Sequence, residues 1–549
     1  MASATSTSPL ALPIFRAVWI ASLVSNFGGL IQSVGASWMM TSLGGSPQMV
    51  ALVQTSTSLP IMLLSLLGGA IADNLDRRRV MLVAQIFMLS VSLILAVGSW
   101  AGFLSPWVLL ASTFLIGCGT AINGPAWLAS VGDMVPRSAL PNAIALNSMG
   151  FNIARSAGPA IGGLIVAVAG AATAFLANAV SYIGLIAVLA RWKPDVPTRA
   201  LPPESLRAAI GAGVRYVAMS PAIRQVMLRA FLFATAGSAV SAMMPLVARD
   251  VLKGGPLTYG FLLGSFGIGA VGGALLIDKL RRHVSTEVMI AIAAGAMTIG
   301  EAATGLSTFL GPTICALALA GAGWVIALST FNISVQMASP RWVVARALAI
   351  CQMSVFGGMA TGSWLCGVIA DAHGPIVALQ IAALVQVVGI LVGWRRPLTA
   401  ISDANLTPQD WWKEPDIALS IEPRSGPIII EVEHRVPVEN VPNYLAAMEE
   451  RRRIRRRDGA RGWSLMRDLS SSELWIERYH VATWLDYVRH NQRRTQADTA
   501  NGELLASLTT PGSISIVHRR IERQTGSLPA PLRTDDDMRE PMTDPTRSS

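Results

Sequence analysis

Gly68-Gly69-Ala70-Ile71-Ala72-Asp73-Asn74-Leu75-Asp76-Arg77-Arg78-Arg79 closes one long apolar run, and the next begins at Val80. Glycine and alanine at the end of a membrane span let two helices approach closely. An acid beside three arginines in the turn can form a charge latch, and arginines at a span end mark the cytoplasmic side. Such a turn belongs in a polytopic membrane protein. The bulk composition agrees: 52% of the 549 residues are hydrophobic and only 14% are charged, against about 25% in soluble domains.

The charge is unevenly divided. Residues 1–394 hold 20 of the 43 Lys+Arg and 10 of the 33 Asp+Glu, whereas residues 395–549 hold 23 of each. The basic excess therefore sits in the apolar part, where it encodes topology rather than nucleic-acid binding. The four cysteines, Cys118, Cys315, Cys351 and Cys366, all lie in apolar runs without metal-ligand spacing. They read as inert thiols, and no metal site is expected. The first apolar run is too long for a signal peptide and is expected to remain as the first span.

A span needs about 20 mostly apolar residues. Candidates lie near 15–42, 48–72, 80–101, 106–130, 143–169 and 171–190, then near 223–248, 257–277, 286–306, 311–335, 346–370 and 375–394. The fold class is therefore an all-α polytopic membrane protein of two six-helix bundles, about 12 spans, followed by a soluble α+β domain. The expected domains are an N-terminal half at 1–190, a connector at 191–222, a C-terminal half at 223–394 and a linker at 395–424. A cytoplasmic module at 425–524 and a disordered tail at 525–549 complete the chain.

Basic residues favour one set of loops. Arg77–Arg79, Arg137, Lys279, Arg281, Arg282, Arg341 and Arg346 all fall in even-numbered loops, while loops 42–47, 101–105 and 307–311 carry none. The loop around Arg249–Lys253 is the exception. Both termini are expected in the cytoplasm. The halves also repeat at an offset of 204: Gly69-Ala70 aligns with Gly273-Ala274, Arg77-Arg78 with Arg281-Arg282, Pro136-Arg137 with Pro340-Arg341, Gly158 with Gly362 and Gly163 with Gly367. Two parallel halves around a central site form an alternating-access transporter. The connector places Leu206, Ile210, Val214 and Val217 at helical spacing, which predicts an amphipathic helix on the cytoplasmic surface.

On these residues the chain resembles the major facilitator superfamily. Gly69-Ala-Ile-Ala-Asp73-Asn-Leu-Asp-Arg77-Arg78 is similar to its loop 2–3 signature, Gly-x-x-x-Asp-Arg/Lys-x-Gly-Arg/Lys-Arg/Lys, with Asn74 in a basic position and Asp76 in the glycine position. The resemblance implies a cytoplasmic latch made by Asp73 and the arginines. Gly158-Pro159-Ala-Ile-Gly162-Gly163 is similar to the Gly-Pro-x-x-Gly-Gly motif of proton-coupled antiporters and implies export. The basic residue often seen in span 4 of drug antiporters is missing from 114–129. The whole length, with Arg457-Asp458-Gly459-Ala460 and Trp463 in its tail, resembles the secretion-effector branch that includes enterobactin-type siderophore exporters.

Charge inside a span is costly and is a functional hypothesis by default. Arg155, in mid-span 5, is the clearest case and can meet an anionic substrate or bond neighbouring carbonyls. Glu301, in span 9, is a candidate proton site, though near enough to the outer end to snorkel. Asn26, Gln54, Asn123 and Asn152 are polar groups expected to line a wet cavity or to join helices.

Beyond the linker the pattern is β-α-β-β-α-β: strands at 428–436, 462–468, 474–481 and 513–521, helices at 440–457, 484–494 and 498–507. This order fits a ferredoxin-like unit and resembles the α+β domains of antibiotic-biosynthesis-type monooxygenases, which offers a route to self-association. The basic run Arg451–Arg457 is expected either to touch anionic lipid or to form a solvated face with Glu449 and Glu450. His434, His480 and His518 fall on three strands, close enough in sequence register to raise a metal site.

The expected function is proton-driven export of a small amphipathic molecule, siderophore-like or a drug, across the bacterial inner membrane. No cofactor, catalytic residue or nucleic-acid partner is expected; the partners are the substrate and the lipid bilayer. The alternative is a membrane-anchored enzyme or sensor acting through its C-terminal domain.

Overall fold

Proline opens the long helices. Its fixed φ and missing donor suit the first helical turn, and helices α1 (Pro13–Ser42), α2 (Pro47–Asn74) and α4 (Pro106–Met134) all start on one. Side chains cap the starts: Ser46 and Ser105 accept from the backbone N–H of Met49 and Val108. Helix α3 (Arg77–Trp100) is capped by Asp76, which accepts from the Arg78 N–H. The arginine turn of the sequence is thus a helix start.

The computed structural model describes residues 8–136, 139–193, 206–340, 342–395, 397–398, 415, 417–419, 421–492, 495–513 and 515–522. The side chains of Ala70, Asp73, Asn74, Pro141, residues 206–209 and Ala497 lie outside that description, as do most of the predicted linker and the tail from 523. Among the described residues eleven helices are long and apolar enough to cross a membrane. One of them, α5 (Leu140–Arg191), has 52 residues and breaks at Gly170, where φ is 81°. At ~1.5 Å per residue it would be about 78 Å long if straight, far more than a bilayer. Gly170 therefore turns the chain, and α5 supplies the fifth and sixth of the twelve predicted crossings. This is a multi-pass membrane protein.

The chain forms two compact units. The first is Met1–Thr198, Ala222–Val335 and Leu348–Ala400; the second is Arg199–Pro221, Gln336–Ala347 and Ile401–Ser549. In the first, α7 (Pro221–Leu246), α8 (Pro256–Arg281), α9 (Thr286–Leu306), α10 (Leu310–Met337), α11 (Val344–His373) and α12 (Pro375–Arg395) follow the order of the N-terminal six. Aligned glycines pack alike in both halves. A Cβ on Gly158 would stand 3.0 Å from Leu30 on α1, and one on Gly362 would collide with the Thr235 carbonyl on α7. The residue pairs 158/362 and 163/367 share the 204 offset, so the repeat in the sequence is a repeat in packing.

The second unit contains the connector helix α6 (Leu206–Met219) and a four-stranded antiparallel sheet. Its strands are β1 (Ile428–Arg435), β2 (Arg461–Arg467), β3 (Leu474–Val481) and β4 (Ile516–Ile521), in the order β2-β3-β1-β4. Three helices accompany it: α13 (Val441–Arg457), α14 (Trp484–Gln492) and α15 (Gln496–Leu508). Strict alternation of burial along β1 and β3 gives the sheet one covered face, built on Ile428, Ile430, Val432, Tyr479 and Val481.

The connector corrects an expectation. Val214, assigned to its apolar stripe, is exposed, while Val217 of the same stripe is buried together with Ala212, Gly213 and Tyr216. That face meets protein: Tyr216 packs edge-on against Trp342 at 5.5 Å, and a Cβ on Gly213 would stand 2.9 Å from the Arg346 side chain. An amphipathic helix needs only an apolar partner, and here other parts of the same unit supply it.

Candidate functional site

The site is built where the halves meet. The Gly-Pro-x-x-Gly-Gly stretch of α5 has two working sides. Gly158 and Gly162 seat it on α1, where a Cβ on Gly162 would stand 3.0 Å from the Ile31 Cα. Gly163 seats it on α8 of the other half: a Cβ there would stand 2.8 Å from the Gly260 Cα and 2.7 Å from the Pro256 carbonyl. The Pro159 carbonyl lies against Gly260 from the same side. Backbone meets backbone only where both residues lack a Cβ. The aligned glycine in the other half, Gly367, packs closely on α2, where a Cβ on it would stand 2.8 Å from the Ala51 Cβ and 3.1 Å from the Gln48 Cα.

Both seams lie toward the α1–α2 loop side of the bundle. They continue inward through Thr55 Oγ1, which donates to the Ala360 carbonyl at 3.2 Å, and Ser156 Oγ, which donates to the Gly267 carbonyl at 3.0 Å. At the inner limit of the α5–α8 seam the Arg155 guanidinium lies 5.6 Å from the centre of the Phe266 ring on α8. A cation over an aromatic face is attracted by the ring quadrupole. Among the described residues no carboxylate pairs with Arg155. It is half-buried.

The other predicted polar residues can be placed by depth. At ~1.5 Å per residue, Asn26, Asn123, Asn152 and Arg155 lie roughly 17–22 Å from the α2–α3 loop ends of their helices, and Gln54 about 30 Å. Four of the five thus form a layer near mid-membrane. The Asn123 Oδ1 is buried without a hydrogen-bond partner, while Gln54 Nε2 donates to Ser58 Oγ at 3.1 Å. A second buried network joins Gln32 to two residues the sequence did not single out: Asn178 Nδ2 donates to Gln32 Oε1, and Ser92 Oγ donates to the same oxygen at 2.9 Å. It ties α1, α3 and α5 together within one half.

Glu301 departs from the sequence reading. It does not snorkel: it is fully buried in α9, and neither carboxyl oxygen has a hydrogen-bond partner. The Thr304 and Ser363 hydroxyls are also buried and unpaired.

Two of the arginines of the predicted latch have described partners. Arg77 Nη1 reaches Asp133 on α4 at 2.8 Å and donates to the Ala129 carbonyl at 3.1 Å. Arg78 donates to the Leu189 and Ala190 carbonyls at 2.8 and 2.6 Å, satisfying the end of α5. The side chain of Asp73 lies outside the described residues. Gly68, rather than Gly69, makes the close approach: a Cβ on it would stand 2.6 Å from the Ala121 carbonyl, whereas Gly69 has open space. The C-terminal half has its own pair, Arg229 and Glu287, joined by two bonds, 2.6 Å for Nη1–Oε2 and 2.7 Å for Nη2–Oε1.

In the α+β unit the basic run is not a uniform solvated face. Arg455 is buried and paired with Glu477, Nε to Oε1 at 3.0 Å; Arg457 is buried between Asp458 and Asp498, both at 2.9 Å. Burial opposes ionisation of Glu477, but Arg455 and Arg451 outweigh it and hold the carboxyl well below the usual carboxylate range. Arg452 and Arg456 stay exposed. The three strand histidines do not converge: His434 is on the covered face of the sheet, while His480 and His518 alternate onto the other. No cluster with metal-ligand composition occurs among the described residues.

The comparisons agree with this architecture. Residues 4–525 match the transmembrane secretion effector family. The multidrug efflux pump Tap of Mycolicibacterium fortuitum is 27% identical, over 69% of this chain and 94% of that protein. The enterobactin exporter EntS of Escherichia coli O1:K1 is 26% identical, over 69% and 91%. The staphyloferrin A transporter of Staphylococcus aureus is 27% identical over 47% of this chain; that match spans only 65% of the relative's length. Among solved structures, the nucleoside transporter NupG superposes with a TM-score of 0.56 at 13% identity, over 70% of this chain and 98% of that one. A bacterial homologue of the human lysosomal transporter Spinster, inward-facing and unoccupied, gives 0.55 at 13% identity, over 69% and 93%. These likenesses are to the fold alone. The chain belongs to the transmembrane secretion effector family, within the major facilitator superfamily of transporters.

Proposed function

We infer that this protein is a secondary exporter, carrying a small amphipathic molecule out of the bacterial cytoplasm by alternating access. The observation that carries the reading is the pair of glycine seams, Gly163 on α8 and Gly367 on α2, at one repeat offset and on one side of the bundle. Two halves held in close contact at two glycine seams on one side can rock about the mid-membrane layer. The arginine-rich loops mark the opposite side as cytoplasmic, so the termini are cytoplasmic and the seams close the outer face. The conformation is then inward-facing.

The mid-membrane layer supports an anionic substrate. Arg155 offers a charge without a carboxylate partner, beside Asn26, Asn123 and Asn152 at similar depth. Relatives named for enterobactin, staphyloferrin A and multidrug efflux support a siderophore-like metabolite or a drug. The energy source would be the proton gradient, with Glu301 as the proton-carrying group, and no cofactor is needed. The α+β unit would be a ferredoxin-like module, supported by its strand order and all-antiparallel pairing. Its open sheet face would be a surface for self-association.

Everted membrane vesicles loaded with a fluorescent anionic substrate analogue test the coupling. Uptake should depend on an imposed proton gradient and stop when an uncoupler collapses it. Uptake that continues unchanged after the uncoupler would contradict proton coupling.

A further inference from the structure

Helix α13 carries six arginines between 451 and 457, and four of them meet acids. Arg451 and Arg455 approach Glu477, Arg453 meets Glu450, and Arg457 lies between Asp458 and Asp498. Arg452 and Arg456 are the exceptions. They are exposed, and no carboxylate pairs with either among the described residues. Four residues apart, they stand one turn from each other on the same face of the helix. Like charges at that spacing repel.

These two arginines line a cleft of about 470 Å³ within the α+β unit. Arg461, Gly462 and Trp463 of β2 share the lining, and Arg215 and Met219 of α6 complete it. Arg461 is also exposed and has no carboxylate partner among the described residues. No acid is among the residues that line the cleft; Glu449, three residues before Arg452 on the same helix face, lies outside it. Three guanidiniums therefore present open, unmatched charge to one concavity, where a positive potential is focused.

Strand β2 reaches the cleft through a bulge. Arg461 is opposite His480 and Ser464 is opposite Arg478, so Gly462 and Trp463 together stand opposite Tyr479 alone. Gly462 has φ 54°, which glycine adopts without strain. In a regular strand neighbouring residues point to opposite faces. Here three in succession line one cleft. The Trp463 indole is tethered by its Nε1, which donates to the buried Glu477 Oε1 at 3.0 Å. The Arg452 guanidinium lies 5.8 Å from its ring centre.

We propose that this cleft binds a ligand carrying clustered phosphate groups: a soluble diphosphate, or the two-phosphate headgroup of an acidic lipid. The guanidinium fork matches phosphate oxygens two at a time. Three such forks suit more than one phosphate, and bound phosphates cancel the repulsion between Arg452 and Arg456. The volume accommodates a small molecule or a headgroup. The site is separate from the mid-membrane layer and does not rest on the transport reading.

Inorganic pyrophosphate is the first probe, titrated calorimetrically into the full-length protein in nanodiscs of zwitterionic phosphatidylcholine. Sulfate at matched ionic strength, a single dianion, should bind at least five-fold more weakly. Arg452→Gln, Arg456→Gln and Arg461→Gln should each weaken pyrophosphate about three-fold, and the triple variant at least ten-fold, with hydrogen exchange of the β1 amides unchanged. Arg435→Gln, at the far end of the sheet from Arg461, should leave the affinity as it is. In the wild type, pyrophosphate should slow exchange of the 461–464 amides, and in the triple variant it should not. Nanodiscs containing cardiolipin, compared with nanodiscs carrying equal charge as phosphatidylglycerol, separate the two sources. A ten-fold loss of pyrophosphate affinity in the cardiolipin discs alone supports the site with a lipid headgroup as its ligand; equal affinity in both supports it with a soluble one. Absence of pyrophosphate binding in the zwitterionic discs, sulfate binding as tight as pyrophosphate, or a folded triple variant that binds like the wild type overturns the proposal.

Discussion

Arg155 is half-buried in a membrane span and Arg455 is buried in the α+β unit, and the two differ in what matches their charge. Arg455 has a carboxylate made for it: Glu477 is fully buried, meets the guanidinium along two bonds, and accepts a third bond from Trp463 Nε1 at 3.0 Å. Arg155 has an aromatic face and no carboxylate among the described residues. A charge matched inside the protein is part of the fold. A charge left unmatched in a membrane span is costly and persists where a ligand or a moving partner completes it.

The largest expected effects come from deleting each in turn, and they should be opposite in kind. Arg455→Met strands Glu477 and should destabilise the α+β unit by about 3–5 kcal/mol, read as loss of protected amides in β1 and β3. Arg155→Ala should leave expression and thermal stability near wild type and cut export below a tenth. A folded, fully active Arg155→Ala protein would move Arg155 into the structural class.

The two charge pairs of the membrane unit extend the comparison to an intermediate case. The Arg229 and Glu287 side chains are 9% and 18% exposed, against 28% and 23% for Arg77 and Asp133. Breaking the first strands a mostly buried carboxylate; breaking the second removes a partly screened pair, worth about 1 kcal/mol or less. Arg229→Gln should lower the melting temperature in detergent clearly more than Arg77→Gln. Equal losses would mean that the carbonyl bonds of Arg77, rather than its ion pair, carry its contribution.

The smallest effect is a pH dependence of the α+β unit. The folded His434 titrates near 4, against an ordinary value near 6.5, so the unfolded chain binds the extra proton first. Stability should fall as pH drops from about 6.5 to about 4, by about 3 kcal/mol at most. Glu477, held low by its arginines, contributes stability that persists to much lower pH. His434→Phe should flatten the fall, measured by hydrogen exchange between pH 6.5 and 4.5.

Much of the fold was legible because a bilayer demands long apolar runs and the halves repeat. Gly158, Gly163, Gly362 and Gly367 could be paired by offset before any contact was known. Their directions could not: successive helical residues point about 100° apart, so only packing decides that Gly68, not Gly69, meets α4. Asp133 was invisible as the partner of Arg77 because the two are 56 residues apart and meet only once α3 packs on α4. The run Arg451–Arg457 looked uniform since its sequence records charge and not the facing carboxylates, Glu477 and Asp498. The stripe assigned to α6 includes the buried Val217 but also the exposed Val214, because the partner that selects the buried face, Trp342, is over a hundred residues away.

The central claim is that the α5–α8 seam must open and close for transport. A Cβ on Gly264 would stand 3.4 Å from that of Ala160, close to the separation in a disulfide, about 3.8 Å. With the four native cysteines replaced by serine or alanine, Ala160→Cys with Gly264→Cys should cross-link on oxidation. Export should then fall to background and return on reduction. Full export by the cross-linked protein would contradict the account.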